Sequence, residues 1–342
     1  MIPPPFVRRL VFTPLLFLLT LLVVVVFPVA YAVAFVLGRE RRRATRLLWF
    51  TLAWGTRESV AVLECAWLWC RRRTRDDRHY DIIRRYVAGP YSVAEQRLGL
   101  RVEIEGERES PDETDGPDGT GGDRPLIVLS RHAGPGDALL LVHHLLNDYG
   151  RRPRVVMKAQ LQFDPCIDIA ANRMSNVFVS PGSSAIDDIG GLAAGLGPRD
   201  ALVIFPEGGN FSPERRLRAI RRLSRLRRAE EAERAARMRN LMPPRPGGVL
   251  AALESAPSAD VVFVAHTGLD DMATVADIWR RVPLAGPVHA LWWRISAEDV
   301  PLDRESRTDW LYTQWERADA WISANRRSVQ TGHLPRSDIM DP

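Results

Sequence analysis

The chain has 342 residues, enough for a membrane-attaching segment and one large α/β domain, and its net charge of +5 comes almost wholly from arginine, Lys158 being the single lysine. Its three cysteines, Cys65, Cys70 and Cys166, form neither an even disulfide framework nor a Cys/His set at zinc spacing, which points to a reduced cytosolic face and no metal site. The arginine excess suits anionic surroundings, but charge alone does not choose among nucleic acid, lipid headgroups and CoA phosphates.

Residues 1–43 read as a membrane-embedded segment with basic flanks. Leu10 to Leu37 are twenty-eight positions without a charge, more than the roughly 20 residues a helix needs to cross a bilayer. The run is about twice the usual signal-peptide core and lacks a clear small-residue cleavage site, so a retained segment is the reading. Arg8 and Arg9 precede the run and Arg39, Arg41, Arg42, Arg43 and Arg46 follow it, which places the large domain on the cytoplasmic face of a membrane. Pro14 and Pro28 leave open a broken hairpin that returns both ends to one side.

Residues 44–99 read as an amphipathic or interfacial helical region. Leu47 to Trp69 is apolar but interrupted by Arg57, Glu58 and Glu64, and it holds Trp49, Trp54, Trp67 and Trp69. That density of tryptophan suits the headgroup level, and a helix packed on a soluble core suits the pattern equally.

Residues 100–327 read as an α/β domain with a mostly parallel sheet and crossover helices, followed by a tail at 328–342. Leu100 to Ile104 alternates as a short strand, and 110–123 is a Gly/Pro/Asp-rich surface loop. Further strands are expected at Leu126 to Ser130, Val155 to Met157, Val177 to Ser180, Leu202 to Phe205 and Val261 to Val264. Ligands bind beyond the carboxyl ends of such strands, which gathers Arg131, His132, Lys158, Glu207 and His266. Between Arg215 and Arg239 there are eleven arginines, with Leu217, Ile220, Leu223 and Leu226 at every third position. This predicts a basic amphipathic helix suited to anionic lipid rather than nucleic acid. Leu311, Trp315, Ala318 and Ile322 mark a structural helix near the C-terminus.

His132 and Asp137 lie five apart, but so do His143/Asp148 and His266/Asp271, and spacing alone does not select among them. His143 falls inside a helix, where five residues turn about 500° and send the two side chains to different faces. His132 instead leaves a strand through Ala133-Gly134-Pro135-Gly136, and Asp137 starts a helix, so a tight turn folds the carboxylate back onto the imidazole. A carboxylate on one ring nitrogen fixes the tautomer and frees the other nitrogen as a base. A thioester is already activated, so a deprotonated alcohol attacks it directly; no G-x-S-x-G elbow occurs.

A second block, Phe205-Pro206-Glu207-Gly208-Gly209-Asn210, runs from a buried strand into a glycine turn. With Arg131-His132-x4-Asp137 and Ser175-Asn176-Val177-Phe178-Val179-Ser180-Pro181, it resembles the glycerophospholipid acyltransferase family. Leu241-Met242-Pro243-Pro244-Arg245-Pro246-Gly247-Gly248 is similar to a block of the lysocardiolipin-acyltransferase-like branch. The resemblance covers roughly residues 45 to 325. It implies that His132 is a general base, Asp137 its orienting partner, and Glu207 with Gly208 part of an acceptor site, with acyl-CoA or acyl carrier protein as donor co-substrate and no separate cofactor. The family's phosphate-binding arginines fall on Pro181 and Asn210, which weakens lysophosphatidate as acceptor and favours a lysophospholipid with a headgroup. Gly209 and Asn210 complete the turn, and Arg131, Lys158 and Arg245 are candidate replacement cations. Acylation of a glycolipid or other lipid alcohol, and a non-catalytic lipid-binding scaffold, are the competing readings.

Overall fold

The computed structural model describes residues 2–36, 41–75, 77–106, 124–134, 136–180, 185–270, 272 and 275–331. The loop expected at 110–123, Pro135, Pro181, Asp271 and residues 332–342 lie outside them.

Two long helices open the chain. Helix α1 (Pro5–Val36) is the one helix among the described residues long and apolar enough to cross a membrane. It exposes Leu10, Leu18, Leu22, Val25 and Val29 along its length. It pairs with α2 (Arg41–Cys70). Gly55 permits close approach there, because a Cβ at that position would lie 2.9 Å from Thr20 Oγ1. Phe27 and Trp49 meet edge-on at 4.8 Å.

The start of α1 is fastened to the domain. Arg8 is buried and ion-paired with Asp168, Arg9 Nε lies 2.8 Å from the same carboxylate, and Phe12 meets Phe163 at 5.4 Å. Helix α2 in turn buries Ala61, Val62, Cys65 and Leu68 against Ile82, Tyr86 and Val87 of α3 (Arg78–Val93). Of the two readings for the second apolar stretch, the packed helix describes this side of α2, while Trp67 and Trp69 remain exposed.

The domain is built on a seven-stranded sheet in the order β1-β7-β6-β2-β5-β3-β4. In chain order the elements are β1 (Val102–Glu105), β2 (Leu126–Ser130), α4 (Asp137–Asn147), β3 (Arg152–Lys158), β4 (Val177–Val179), α5 (Ile186–Ala194), β5 (Asp200–Ile204), α6 (Pro213–Arg225), α7 (Ala229–Arg237), α8 (Pro246–Ser255), β6 (Asp260–Thr267), α9 (Val275–Arg281), β7 (Val288–Ile295) and α10 (Arg304–Thr331). All neighbouring pairs are parallel except β6 with β7.

The central strands are apolar on both faces because both faces are covered. Ile127, Leu129, Leu202, Ile204, Val261 and Phe263 pack under α5, α8 and α10, including Leu311, Trp315, Ala318 and Ile322. Val128, Val203, Val262 and Val264 pack under Leu141 and Leu145 of α4. Full burial of each such side chain stabilises by about 1.5–3 kcal/mol.

Two expectations need correction. The run from Arg215 to Arg239 is not one helix: α6 and α7 are separated by a turn in which Arg227 has φ +57°. Several of its arginines are also engaged within the protein. Arg216 donates to the carbonyls of Met238 and Ala236, Arg234 pairs with Asp309 and Glu316, and Arg228 and Arg237 pair with Glu231 and Glu233. Strand β7, with its consecutive Trp292 and Trp293, was not among the expected strands.

Candidate active site

The carboxyl end of β2 positions the centre of the site. Arg131 N still donates to Val264 O at 3.1 Å, extending the ladder with β6 by one residue before the chain turns. His132 N then donates to Glu207 Oε1 at 2.8 Å, and His132 O accepts from Phe211 N at 2.7 Å. The imidazole is thereby held by its own backbone against the turn after β5, with its ring on Phe205 at 4.6 Å.

Asp137 is the first residue of α4, with Gly136 rather than Asp137 as N-cap. Its carboxylate folds back over the turn. Oδ2 accepts from Ala133 N at 2.6 Å and Gly134 N at 3.0 Å, and Oδ1 accepts from Ala138 N at 2.7 Å. The same two oxygens lie 3.0 and 3.1 Å from His132 Nδ1. Burial opposes ionisation of Asp137, but the hydrogen bond from His132, the neighbouring His266 and the N–H of Gly134 outweigh it and hold the carboxyl below its ordinary range. His132 Nε2 has no hydrogen-bond partner among the described residues, and the side chain keeps 15% of its surface exposed. One ring nitrogen is oriented and the other is open.

The other histidines with a carboxylate five residues on do something else. The ring of His143 stacks on Tyr91 at 3.7 Å, and Asp148 is bonded by His144 instead. His266, next to last in β6, is buried, and its Nε2 lies 3.7 Å from Asp137 Oδ2. Burial, then the charge of Arg131, pushes its pKa down to about 4, so it is a neutral imidazole beside the dyad. The sequence placed His266 at this sheet edge without giving it a role.

Two expected substrate contacts are redirected by burial. Arg131 has no exposed surface; its guanidinium pairs with Asp270 at 2.6 Å and donates to the carbonyls of His266 and Asn240. It ties β2 to β6 from a position with no exposed surface. Glu207 is also buried, its Oε1 on His132 N and its Oε2 on Met242 N at 2.9 Å. Burial, opposed by Arg131 and these two N–H groups, pushes its pKa up to about 7. Its carboxylate clamps two loops together.

The remaining expected residues do converge. Gly208 has φ +69°, and a Cβ there would lie 2.9 Å from the Arg245 guanidinium. A Cβ on Gly209 would lie 3.4 Å from Arg215 Nη1 and 3.7 Å from Lys158 Nζ. Both backbone conformation and crowding favour glycine at 208. Asn210 contributes its carbonyl, which accepts from Arg215 Nη1 at 3.2 Å. Burial and the nearby Arg215 lower the pKa of Lys158. Arg245, Lys158 and Arg215 thus surround one glycine turn. Arg215 was legible only as one of many arginines, yet Ser212 accepts from its N–H at 3.2 Å and so fixes it in the first turn of α6, five residues beyond Asn210. Among the described residues no group of three or more His, Cys, Asp or Glu side chains is arranged to hold a metal ion.

A parallel α/β sheet carrying a carboxylate-oriented imidazole at a strand end, beside a cationic glycine turn, is suited to acyl transfer. A family model described as Acyltransferase matches residues 101–272, half of the chain, and the chain belongs to that family, the glycerophospholipid acyltransferases. The matched stretch contains His132, Asp137, Lys158, Glu207, Arg215, Arg245 and His266. No curated protein and no solved structure matches the chain.

Proposed function

We propose that the protein transfers a fatty acyl group from a thioester of CoA or acyl carrier protein to the hydroxyl of a lysophospholipid. The observation that carries this reading is the Asp137 carboxylate bonded to His132 Nδ1 with Nε2 left open. In this mechanism Nε2 takes the proton of the acceptor hydroxyl as its oxygen attacks the thioester carbonyl. The imidazolium, stabilised by Asp137, then returns the proton to the departing thiolate as the C–S bond breaks. Base catalysis of this kind contributes about 10²–10⁴-fold.

Arg245, Lys158 and Arg215 supply the positive charge for the acceptor's phosphate, in place of the arginines absent at Pro181 and Asn210. A phosphodiester headgroup fits this exposed cluster, and acylation of a glycolipid does not need it. A panel of lysolipid and glycolipid acceptors with one labelled acyl thioester tests the assignment. Phosphate-bearing acceptors are expected to be preferred, with Lys158→Ala raising their KM and His132→Ala removing turnover without lowering Tm. A preference for glycolipid, or wild-type rates for His132→Ala, overturns it; lipid binding with no acylation of any acceptor favours the scaffold.

For attachment, α1 lies in a bilayer. Its first turn is tied to Asp168 while the last turns of α2 receive a hydrogen bond from Arg173 at Cys65 O. Both ends of the α1–α2 pair therefore meet the same domain, while α1 itself runs through Pro14 and Pro28 as one helix rather than as a hairpin broken at those prolines. With both ends of the pair at the domain, the arginine bias around α1 does not by itself select a membrane face.

A further inference from the structure

At the opposite end of the sheet from His132 there is a cavity of about 400 Å³. Its walls come from the amino ends of β3 and β5, the turn before α3 and the segment leading into β4. Four guanidinium groups line it, those of Arg75, Arg152, Arg154 and Arg173, against two carboxylates, Asp77 and Asp200. The five residues of β5 put about 15 Å between this end of the sheet and the other, so the cavity is no extension of the acceptor site.

The charges are unevenly matched. Arg154 pairs with Asp200, and Arg152 with Asp77 at 2.8 Å. Arg173 donates to Cys65 O at 2.7 Å and has no carboxylate partner among the described residues. Arg75 has none either and is exposed. Arg154 Nε is buried without a hydrogen-bond partner. Among the described residues the cavity walls thus carry a formal excess of two positive charges, together with Tyr80, Asn172 and Ser175. That is the complement of a phosphate group, which recruits several charge-assisted donors at once.

Position indicates where such a phosphate comes from. Arg75 and Asp77 sit in the turn that leaves α2 just after the exposed Trp67 and Trp69, and Arg71 lies over Trp67 at 4.6 Å. Arg9, in the first turns of the apolar helix α1, donates to the Asp168 carbonyl at 3.2 Å, the same oxygen that accepts from Asn172 of the cavity wall at 2.7 Å. The cavity therefore opens where α1 begins and where two tryptophans face outward. Tryptophan and clustered arginine beside an apolar helix are the marks of headgroup depth.

We propose that this cavity is a second site, separate from the acceptor site, that binds the phosphate of an anionic phospholipid headgroup. The lipid assignment rests on the reading of α1 as bilayer-embedded, whereas the phosphate assignment stands on the cavity alone. Occupancy would hold α2, α3 and the segment before β4 together beneath the membrane.

The test uses the full chain in neutral detergent and follows amide hydrogen exchange across residues 172–176. The probes are inorganic phosphate, a short-chain phosphatidic acid, which has no free hydroxyl to acylate, and the matching phosphatidylcholine. Phosphatidic acid is expected to slow exchange at concentrations at least tenfold below those of the other two. Arg75→Glu, in a turn where Arg75 holds nothing together, is expected to raise its half-saturating concentration about tenfold, the effect of losing one charge-assisted contact. Acyl transfer between water-soluble substrates stays at the wild-type rate, and Ser175→Asp reproduces the loss from another wall. Equal protection by inorganic phosphate overturns the lipid assignment. No protection by any probe, or protection indifferent to Arg75→Glu, overturns the site.

Discussion

Within the seventeen residues from 132 to 148 the chain makes two His-carboxylate contacts of opposite character. At the strand-turn-helix corner, His132 meets Asp137 across a turn whose N–H groups at 133 and 134 also bind that carboxylate, which is 2% exposed. At the other end of the same helix, His144 meets Asp148 four residues away on the helical surface, where the carboxylate is 49% exposed. The first acid is over-determined by its surroundings and stays charged because five donors face it or lie close by. The second is a solvent-facing pair of the kind worth about 0–1 kcal/mol. What separates the dyad from the decoy is the number of other groups that need the carboxylate where it is.

Substitutions sharpen that contrast in descending order. Asp137→Asn places an amide N–H₂ against backbone donors and removes the charge that stabilises an imidazolium; kcat for acyl transfer is expected to fall about 10²–10⁴-fold. An unchanged rate would break the comparison at its centre. Glu207→Gln leaves one of the two clamped N–H groups, His132 N or Met242 N, facing a donor. The expected cost is about 1–3 kcal/mol, read as a lower denaturation midpoint, with activity falling alongside because the His132 backbone is released.

His266 gives a signature in pH. Its folded pKa of about 4 lies below the ordinary 6.5, so the unfolded chain binds the extra proton and stability is fully present above pH 6.5. It is lost as pH falls from 6.5 towards 4, at about 1.4 kcal/mol per unit. Unfolding midpoints measured across this window should show a shallower slope for His266→Gln than for the wild type. Asp148→Asn, the control for the decoy, should change stability by less than about 1 kcal/mol and acyl transfer not at all.

Much of this was legible in sequence, for reasons that also explain the misses. The corner at 132–137 was readable because a strand, a glycine turn and a helix start follow each other within one short run. Strand β2 matches its expected limits, since four consecutive apolar residues followed by Ser130, buried on both faces, stand out from their flanks. Strand β7 was hidden because it alternates as Val288 and Ala290 before consecutive tryptophans blur the period. Arg131 was misjudged for a reason also present in the sequence: side chains alternate along an extended chain, so the residue before an outward-facing His132 points the other way. Glu207 required knowledge of Met242 as its second partner, a contact across thirty-five residues that no local pattern carries. The approach of His266 to Asp137 depends on β6 lying beside β2, which is a matter of strand order.

The ion pair between Arg8 and Asp168 has a consequence for the order of events during synthesis. The two residues are separated by 160 positions. Helix α1 is therefore made long before its acid exists, and it emerges as a bare apolar segment with two arginines at its start. Whatever receives it in that interval meets the arginines unpaired. The contact that fastens the helix to the domain therefore waits at least until Asp168 has been made.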